Sequence, residues 1–324
     1  DPNKSKRVDS IHDVLVKCGI KDGMTLSFHH HFREGDYVVN MVMEEVHKMG
    51  IKDITICASS MGKAHDPIVP MIEDGTVTGI QSSGVRGKIG EAISAGKLQN
   101  LAIMRSHGGR VRAIESGEVH IDIAFIGAPT CDEYGNMRAN GGKSDCGVLS
   151  YAMADAKYAD KVVAITDCLV PSPNLPASIS QVDVDYVVVV DEIGNPAKIA
   201  TGAAKPTTDV RKILMADYCT EFVINTPYFK DGFTYQTGVG GASIASTISL
   251  GKIMKERGIK MKFGVGGIAG PMCKLLEEGL IETLVDTQDF DTIAIESIKN
   301  NPRHFEISAS EYANPFNKGA YVRS

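Results

Sequence analysis

Short apolar runs at Met24–Phe28, Asp53–Ala58, Leu101–Met104, Ile121–Ile126, Lys161–Thr166 and Tyr186–Val190 alternate with stretches of helical period at Tyr37–Met49, Lys88–Ala95, Arg110–Ser116 and Leu149–Ala159. The runs carry no polar side, so a strand made from any of them must be covered on both faces. Strands of that kind, separated by helix-length segments, indicate an open α/β fold with a parallel sheet between helical layers. Leu169–Ser180 (LVPSPNLPASIS) holds three prolines and breaks the rhythm as an excursion. A second series begins after Pro206: a helix capped by Thr207 or Thr208 and reaching about Val223, a helix over Ser243–Arg257, a strand over Ile259–Val265, a helix over Pro271–Glu278 with proline at its start, and a strand over Glu282–Val285. The 324 residues suit two domains at about 150 each. We expect these at 1–215 and 216–324, the second without an obvious closing helix because the chain ends shortly after an apparent strand.

Composition removes several function classes. Lys+Arg 34 against Asp+Glu 40 leaves a net charge of −6, so there is no broad basic field for nucleic acid. No run approaches the ~20 apolar residues of a membrane span, and the first residues lack the apolar stretch of a signal peptide. The seven cysteines are odd in number and dispersed, with no CxxC pair, as expected of reduced thiols in a cytoplasmic protein.

Ligands of open parallel sheets bind beyond the carboxyl ends of the strands. The loops at those ends are the unusual ones: His29-His30-His31-Phe32-Arg33, Ser59–Lys63, Ser82–Lys88, Arg105–Arg110 and Gly127–Asn136. Four of them mix Gly or Ser with Arg, Lys or His in a chain that is acidic overall, which points to a small polyanionic ligand. Glycines and helix N-termini beside those cations offer N–H groups to carboxylates or to a developing oxyanion. Three adjacent histidines suggest zinc, but neighbours on a strand end point to opposite faces, so at most two converge; no metal is expected. Gly264-Val265-Gly266-Gly267-Ile268-Ala269 fits the dinucleotide fingerprint G-x-G-x-x-[G/A], with Asp286 beyond the next strand. Gln236–Ser243 is a second glycine turn, and two such loops suit close backbone approach to a ligand better than one nucleotide site.

The segments SFHHHFREGD, MRSHGGRVRAIESGEVHID, GAPTCDEYGN and QTGVGGASIA, within Ile11–Tyr321, resemble the alpha chain of citrate lyase, a family of the coenzyme A transferase superfamily. The resemblance implies two open, mostly parallel α/β/α domains of the coenzyme A transferase type with the active site in the cleft between them. Family chains extend well beyond this C-terminus. The implied reaction converts acetyl-[acyl carrier protein] and citrate to citryl-[acyl carrier protein] and acetate. The implied partners are a lyase beta chain and an acyl-carrier gamma chain in an oligomeric complex. The gamma chain would bear a coenzyme A-derived thiol, for which coenzyme A thioesters would stand in, and this chain would bind no cofactor of its own.

On this reading His29, His30, His31, Arg33, Ser83, Gly84, Arg86, Gly108, Gly109 and Gly238 contact substrate. Gly240, Gly241, Gly266 and Gly267 form the thioester and oxyanion surface, and His107 stabilises charge or acts as a base. Many coenzyme A transferases use a glutamate relay. Phe263–Gly267 holds no acid, which favours direct attack by citrate through an acetic–citric mixed anhydride; Glu133 or Glu221 is the alternative nucleophile. Citramalate or another dicarboxylate is the nearest competing acceptor, and a non-catalytic anion-binding module the reading outside enzymes. Asp132, Glu133 and Asn136 also read as a plain turn.

Overall fold

A computed structural model describes residues 4–29, 31–200, 207–238 and 240–322. The chain divides into two compact units. The first runs to Pro196 and takes in the chain again from Ser308; the second is Ala197–Ile307.

The first unit is built on β1 (Arg7–Val8), β2 (Thr25–Phe28), β3 (Ile54–Ala58), β4 (Val77–Ser82), β5 (Ala102–Met104) and β6 (Ile123–Ala128), a small antiparallel pair β7 (Thr130–Cys131) and β8 (Met137–Arg138), then β9 (Lys161–Thr166) and β10 (Tyr186–Val189). The main sheet is parallel throughout, in the order β1-β10-β9-β6-β2-β3-β4-β5. Helices α1 (Ile11–Cys18), α2 (Val38–Lys48), α3 (Val69–Glu73), α4 (Gly87–Ser94), α5 (His107–Glu115) and α6 (Ser150–Tyr158) connect the strands. Strand β4 is absent from the apolar runs, although Ser82–Lys88 is expected to follow a strand, because Thr78, Gly79, Gln81 and Ser82 dilute its apolar character. Gly79 is small because a Cβ there would lie 2.7 Å from the Thr55 hydroxyl of β3. From β2 the chain proceeds outward through β3, β4 and β5, then returns to the opposite side of β2 as β6. The order reverses between β2 and β6, and a crevice opens beyond the carboxyl ends of strands at such a switch point.

A buried ion pair joins the elements around that point. Both terminal guanidinium nitrogens of Arg110 on α5 donate to the Asp155 carboxylate of α6 at 2.9 Å. The Ser27 hydroxyl of β2 donates to the same carboxylate at 2.5 Å, and Arg110 also donates to the Cys57 carbonyl of β3 at 3.2 Å. Arg110 is 4% exposed and Asp155 1%. Desolvation opposes the Arg110 charge, but the adjacent carboxylate and these hydrogen bonds outweigh it and hold the guanidinium above its ordinary range.

Residues 308–322 also lie against α5. Helix α11 (Ala309–Ala313) carries a capping box between Ser308 and Glu311. The Asn314 amide donates to Glu115 at 2.5 Å, and Arg112 stands over the Phe316 ring at 5.7 Å. A Cβ on Gly108 would overlap the Ala313 carbonyl oxygen.

The second unit has a four-stranded parallel sheet in the order β11 (Phe233–Gln236), β12 (Met261–Ile268), β13 (Ile281–Asp289), β14 (His304–Glu306), with α7 (Val210–Ile224), α8 (Gly241–Arg257), α9 (Gly270–Glu277) and α10 (Thr292–Asn300). Three expectations need correction. Asp209, not Thr207 or Thr208, caps α7 through its carboxylate to the Arg211 N–H. Strands β12 and β13 run to Ile268 and Asp289, and α10 and β14 follow them. The GVGGIA segment is mostly strand rather than a strand-to-helix turn. There Gly264 makes room for Met272 and Leu284, Gly267 for the Phe290 ring, and Gly266 adopts φ +97° at an irregularity in the ladder. Close packing accounts for these glycines, and the dinucleotide reading loses its geometry.

Breaking the buried pair by Arg110→Met should destabilise the first unit by about 3–5 kcal/mol, because Asp155 is left buried and unpaired. Combining it with Asp155→Leu should recover much of that loss. Urea denaturation followed by circular dichroism measures both.

Candidate functional site

His29 follows β2 directly, and its Nε2 accepts the Gly127 N–H of β6 at 3.1 Å, bridging the two strands at which the sheet order reverses. That bond fixes the tautomer, with the proton of the neutral ring on Nδ1. His31, two residues on, returns to the same side, and the two rings stand 4.3 Å apart. His31 is also 6.4 Å from the Tyr151 ring of α6, and Tyr151 is 5.0 Å from the ring of His107, the first residue of α5. Four rings from three elements thus form one wall. His30 lies outside the described residues.

The histidines in this wall are not cations. Burial pushes His31 down to about 3, offset only in part by the Leu149 carbonyl. His107 keeps some surface open to solvent, yet the atoms packed around its ring desolvate it, and with the Arg110 charge they lower its pKa as well. Each offers a donor or an acceptor rather than a charge.

Positive charge comes from arginine. Arg33 stands in the turn after the histidines at φ +54°, a left-handed conformation disfavoured by roughly 1–2 kcal/mol for a residue with a side chain. Burial lowers its pKa, the nearby Arg86 charge lowers it further, and Glu34 compensates only in part. Two like charges held within electrostatic reach form a site that gains when an anion enters. The Ser83 hydroxyl, buried and without a hydrogen-bond partner, sits three residues before Arg86 on the same loop.

The loop geometry that presents these groups is built from conspicuous polar contacts. The Gly84 carbonyl accepts from the Met61 N–H at 2.9 Å and from the hydroxyls of Ser82 and Ser60 at 3.0 and 3.2 Å. The Arg86 N–H donates to the Met61 carbonyl at 3.0 Å. Behind them His65 Nδ1 accepts the Gly62 N–H at 3.0 Å, so its Nε2 carries the proton and donates to Asp36 at 3.0 Å, both side chains being buried. Glu34 accepts the Ala64 N–H at 3.0 Å. Sequence reasoning passed over Tyr151, Asp36, His65 and Glu34. Only the HHHFREGD segment gave a signal, and it did not reveal what Glu34 and Asp36 hold.

Other expected residues answer first to packing. Gly109 donates its N–H to the Ser106 cap of α5 at 3.0 Å, and Gly108 faces Ala313. In the second unit Gly241 fits against Thr207, Gly238 is exposed, and Gly240 begins α8, whose first turn has no side-chain cap. Gly266 and Gly267 sit inside β12. Asp132 organises the DEYGN turn, accepting the N–H groups of Tyr134, Gly135 and Asn136 at 3.0 Å. Glu133 sits on that turn, and Glu221 is exposed on α7.

The family described as citrate lyase, alpha subunit, matches residues 4–324. The chain belongs to this family. The citrate lyase alpha chain of Klebsiella pneumoniae is 48% identical over 320 residues, covering 99% of this chain and 63% of that one. The chain thus spans about 63% of the length of the curated citrate lyase alpha chain it matches. A crystal structure of a citrate lyase alpha subunit from Streptococcus mutans, in complex with citrate, superposes with a TM-score of 0.95 at 52% identity, over 99% of this chain and 63% of that one. A 4-hydroxybutyrate CoA-transferase from Porphyromonas gingivalis has a TM-score of 0.60 at 15% identity, over 94% of this chain and 68% of that one. This likeness shows the coenzyme A transferase fold that the sequence implied for the citrate lyase alpha family.

The depressed His31 gives a signed prediction. The unfolded ring takes up a proton near its ordinary value of 6.5 while the folded one does so only at about 3, so stability falls as pH drops between those values. Acid titration of stability should show a slope of up to about 1.4 kcal/mol per pH unit from this group. His31→Gln should remove that component, read as the change of urea midpoint between pH 7 and pH 5.

Proposed function

We propose that the chain is the acyl-exchange part of a citrate lyase, replacing acetyl by citryl on an acyl-carrier thioester. The observation that carries the reading is the largely buried Arg33 charge, within electrostatic reach of Arg86 and two residues beyond the uncharged His31 at the switch point of the first sheet. A tricarboxylate suits such a site: two carboxylates pair with the guanidiniums and the Ser83 hydroxyl donates to one of them. The complex of the Streptococcus mutans relative with citrate supports the same ligand here.

The chemistry asks for little proton transfer, because citrate is already ionised. One carboxylate attacks the acetyl carbonyl, the C–S bond breaks with release of thiolate, and an acetic–citric anhydride remains. Thiolate then adds to the citryl carbonyl and acetate departs. The protein contributes orientation and partial desolvation of the attacking carboxylate, which supply much of the rate. Buried neutral histidines suit that task, since an imidazolium would pair with the carboxylate and blunt it. The uncapped start of α8 at Gly240 and Gly241 is the second unit's own candidate for holding an acyl oxygen, each such donor being typically worth ~3 kcal/mol. Glu133 and Glu221 take no covalent part in this scheme. In the whole protein we place this activity in a cytoplasmic oligomeric complex with a lyase chain and an acyl carrier, the thiol group belonging to the carrier.

The test mixes the whole protein with acetyl-coenzyme A and citrate and follows products by mass spectrometry, with citramalate and acceptor-free tubes alongside. Citrate-dependent citryl thioester with acetate supports the reading; acetate release without any acceptor would make the protein a hydrolase. Arg86→Gln should raise the KM for citrate about 10- to 100-fold, the loss of a charged hydrogen bond of about 1.5–3 kcal/mol, with kcat less affected. Acetyl thioester alone should leave the Glu133 and Glu221 peptides unmodified.

A further inference from the structure

The second unit carries a polar cluster of its own, created by the irregularity between β12 and β13. Gly266 pairs with Asp286 but Gly267 pairs with Gln288, so Thr287 is an extra residue on β13. In a regular strand Asp286 and Asp289, three apart, would point to opposite faces. The extra residue turns them to one side. His304 of β14 pairs with Leu284, which places it on the face that Asp286 shares. Among the described residues, the ligand atoms of Asp286, Asp289 and His304 lie within 4.8 Å of one another.

All three side chains are buried, Asp289 to 1% exposure; neither of its carboxylate oxygens accepts a hydrogen bond, and only a proton shared with Asp286 would give it a partner. Asp286 accepts the Gln288 N–H at 2.7 Å through one oxygen, and its other oxygen is 3.2 Å from His304 Nε2. His304 Nδ1 is 3.0 Å from the Ser297 hydroxyl of α10. Asp291 and Glu306 add to the negative field. His304 pairs with Asp286 alone in these contacts, so the second buried carboxylate, Asp289, is left without a positive partner of its own.

We propose that Asp286, Asp289 and His304 bind one divalent cation of the manganese, iron and zinc class, fastening β14 to β13 beneath α10. One imidazole nitrogen with two carboxylates is a donor set such ions accept, and two carboxylates neutralise their charge. The 3.2 Å between Nε2 and the Asp286 oxygen, a hydrogen bond when no cation is present, falls within the roughly 3.0–3.4 Å that separates adjacent ligands on bonds of about 2.1 Å. The outer contacts also fit. A proton on Nδ1 donated to Ser297 turns the Nε2 lone pair inward, and the Gln288 N–H steadies Asp286. The proposal is independent of the acyl-transfer reading.

The experiment takes the full protein as purified, measures its metal content, strips it with a chelator, and titrates back MnCl2 by electron paramagnetic resonance and ZnCl2 by thermal unfolding. Asp289→Asn and His304→Gln are treated alike. The proposal expects about one equivalent per chain in the wild type, a lower Tm after chelation restored by either metal, and at least about tenfold weaker binding in both variants. It is overturned if the wild type holds and binds no metal and chelation leaves Tm unchanged; a rise in Tm for Asp289→Asn would then mark a shared proton as the occupant. Wild-type binding that both variants retain would place the cation elsewhere and equally overturn it. Should a variant fail to fold, the metal content and chelation response of the wild type decide.

Discussion

The bidentate pair of Arg110 and Asp155 is the constraint on which the first unit's site rests. It ties α5 and α6 to β2 and β3 through Ser27 and the Cys57 carbonyl. The same elements deliver His29 and His31 from the end of β2, His107 from the start of α5, and Tyr151 from α6. A pair buried this deeply is weak as a source of stability but strong as a fixative, because either charge left alone is severely penalised. It also sets the electrostatics of the wall, since the Arg110 charge is one reason His107 resists protonation.

A second anchor, Asp36 to His65 to the Gly62 amide, carries the arginine side of the site. It joins the turn after the histidines to the loop after β3, and that loop in turn holds Gly84 and the backbone of Arg86. Both loops are thereby fixed at the backbone, the Arg86 charge acts on the more deeply buried Arg33, and the left-handed Arg33 adds local strain. Stability given up at Arg33 is recovered when an anion arrives, which is the pattern of a pre-organised binding site.

Much of this was legible in the sequence. Apolar runs with no wet face gave the parallel sheets, and cations at successive strand ends gave an anion site. The charge state of the histidines was not legible, because it depends on how deeply His31 is covered by residues distant in sequence. Nor was the meaning of the glycines in GVGG, where Phe290, Met272 and Leu284 fill the space a Cβ would take. A single extra residue in β13 reverses which side chains meet, and periodicity cannot reveal such a slip. The return of residues 308–322 to α5 is likewise a tertiary choice, foreshadowed only by Gly108. Strand β4 was implied only by the loop that follows it, its own run being masked by polar residues that a covered strand tolerates when they find partners.

The central claim is that an anion is held by arginine charge among uncharged imidazoles. Calorimetric titration of citrate at pH 7, in two buffers of different ionisation enthalpy, tests it most directly when run on the wild type and on Arg33→Gln. The account predicts saturable binding with no net proton uptake in the wild type, and loss of most of that affinity in the variant. Uptake approaching one proton per citrate, or binding indifferent to Arg33, would contradict it, because the charge would then reside on a histidine or the site would lie elsewhere.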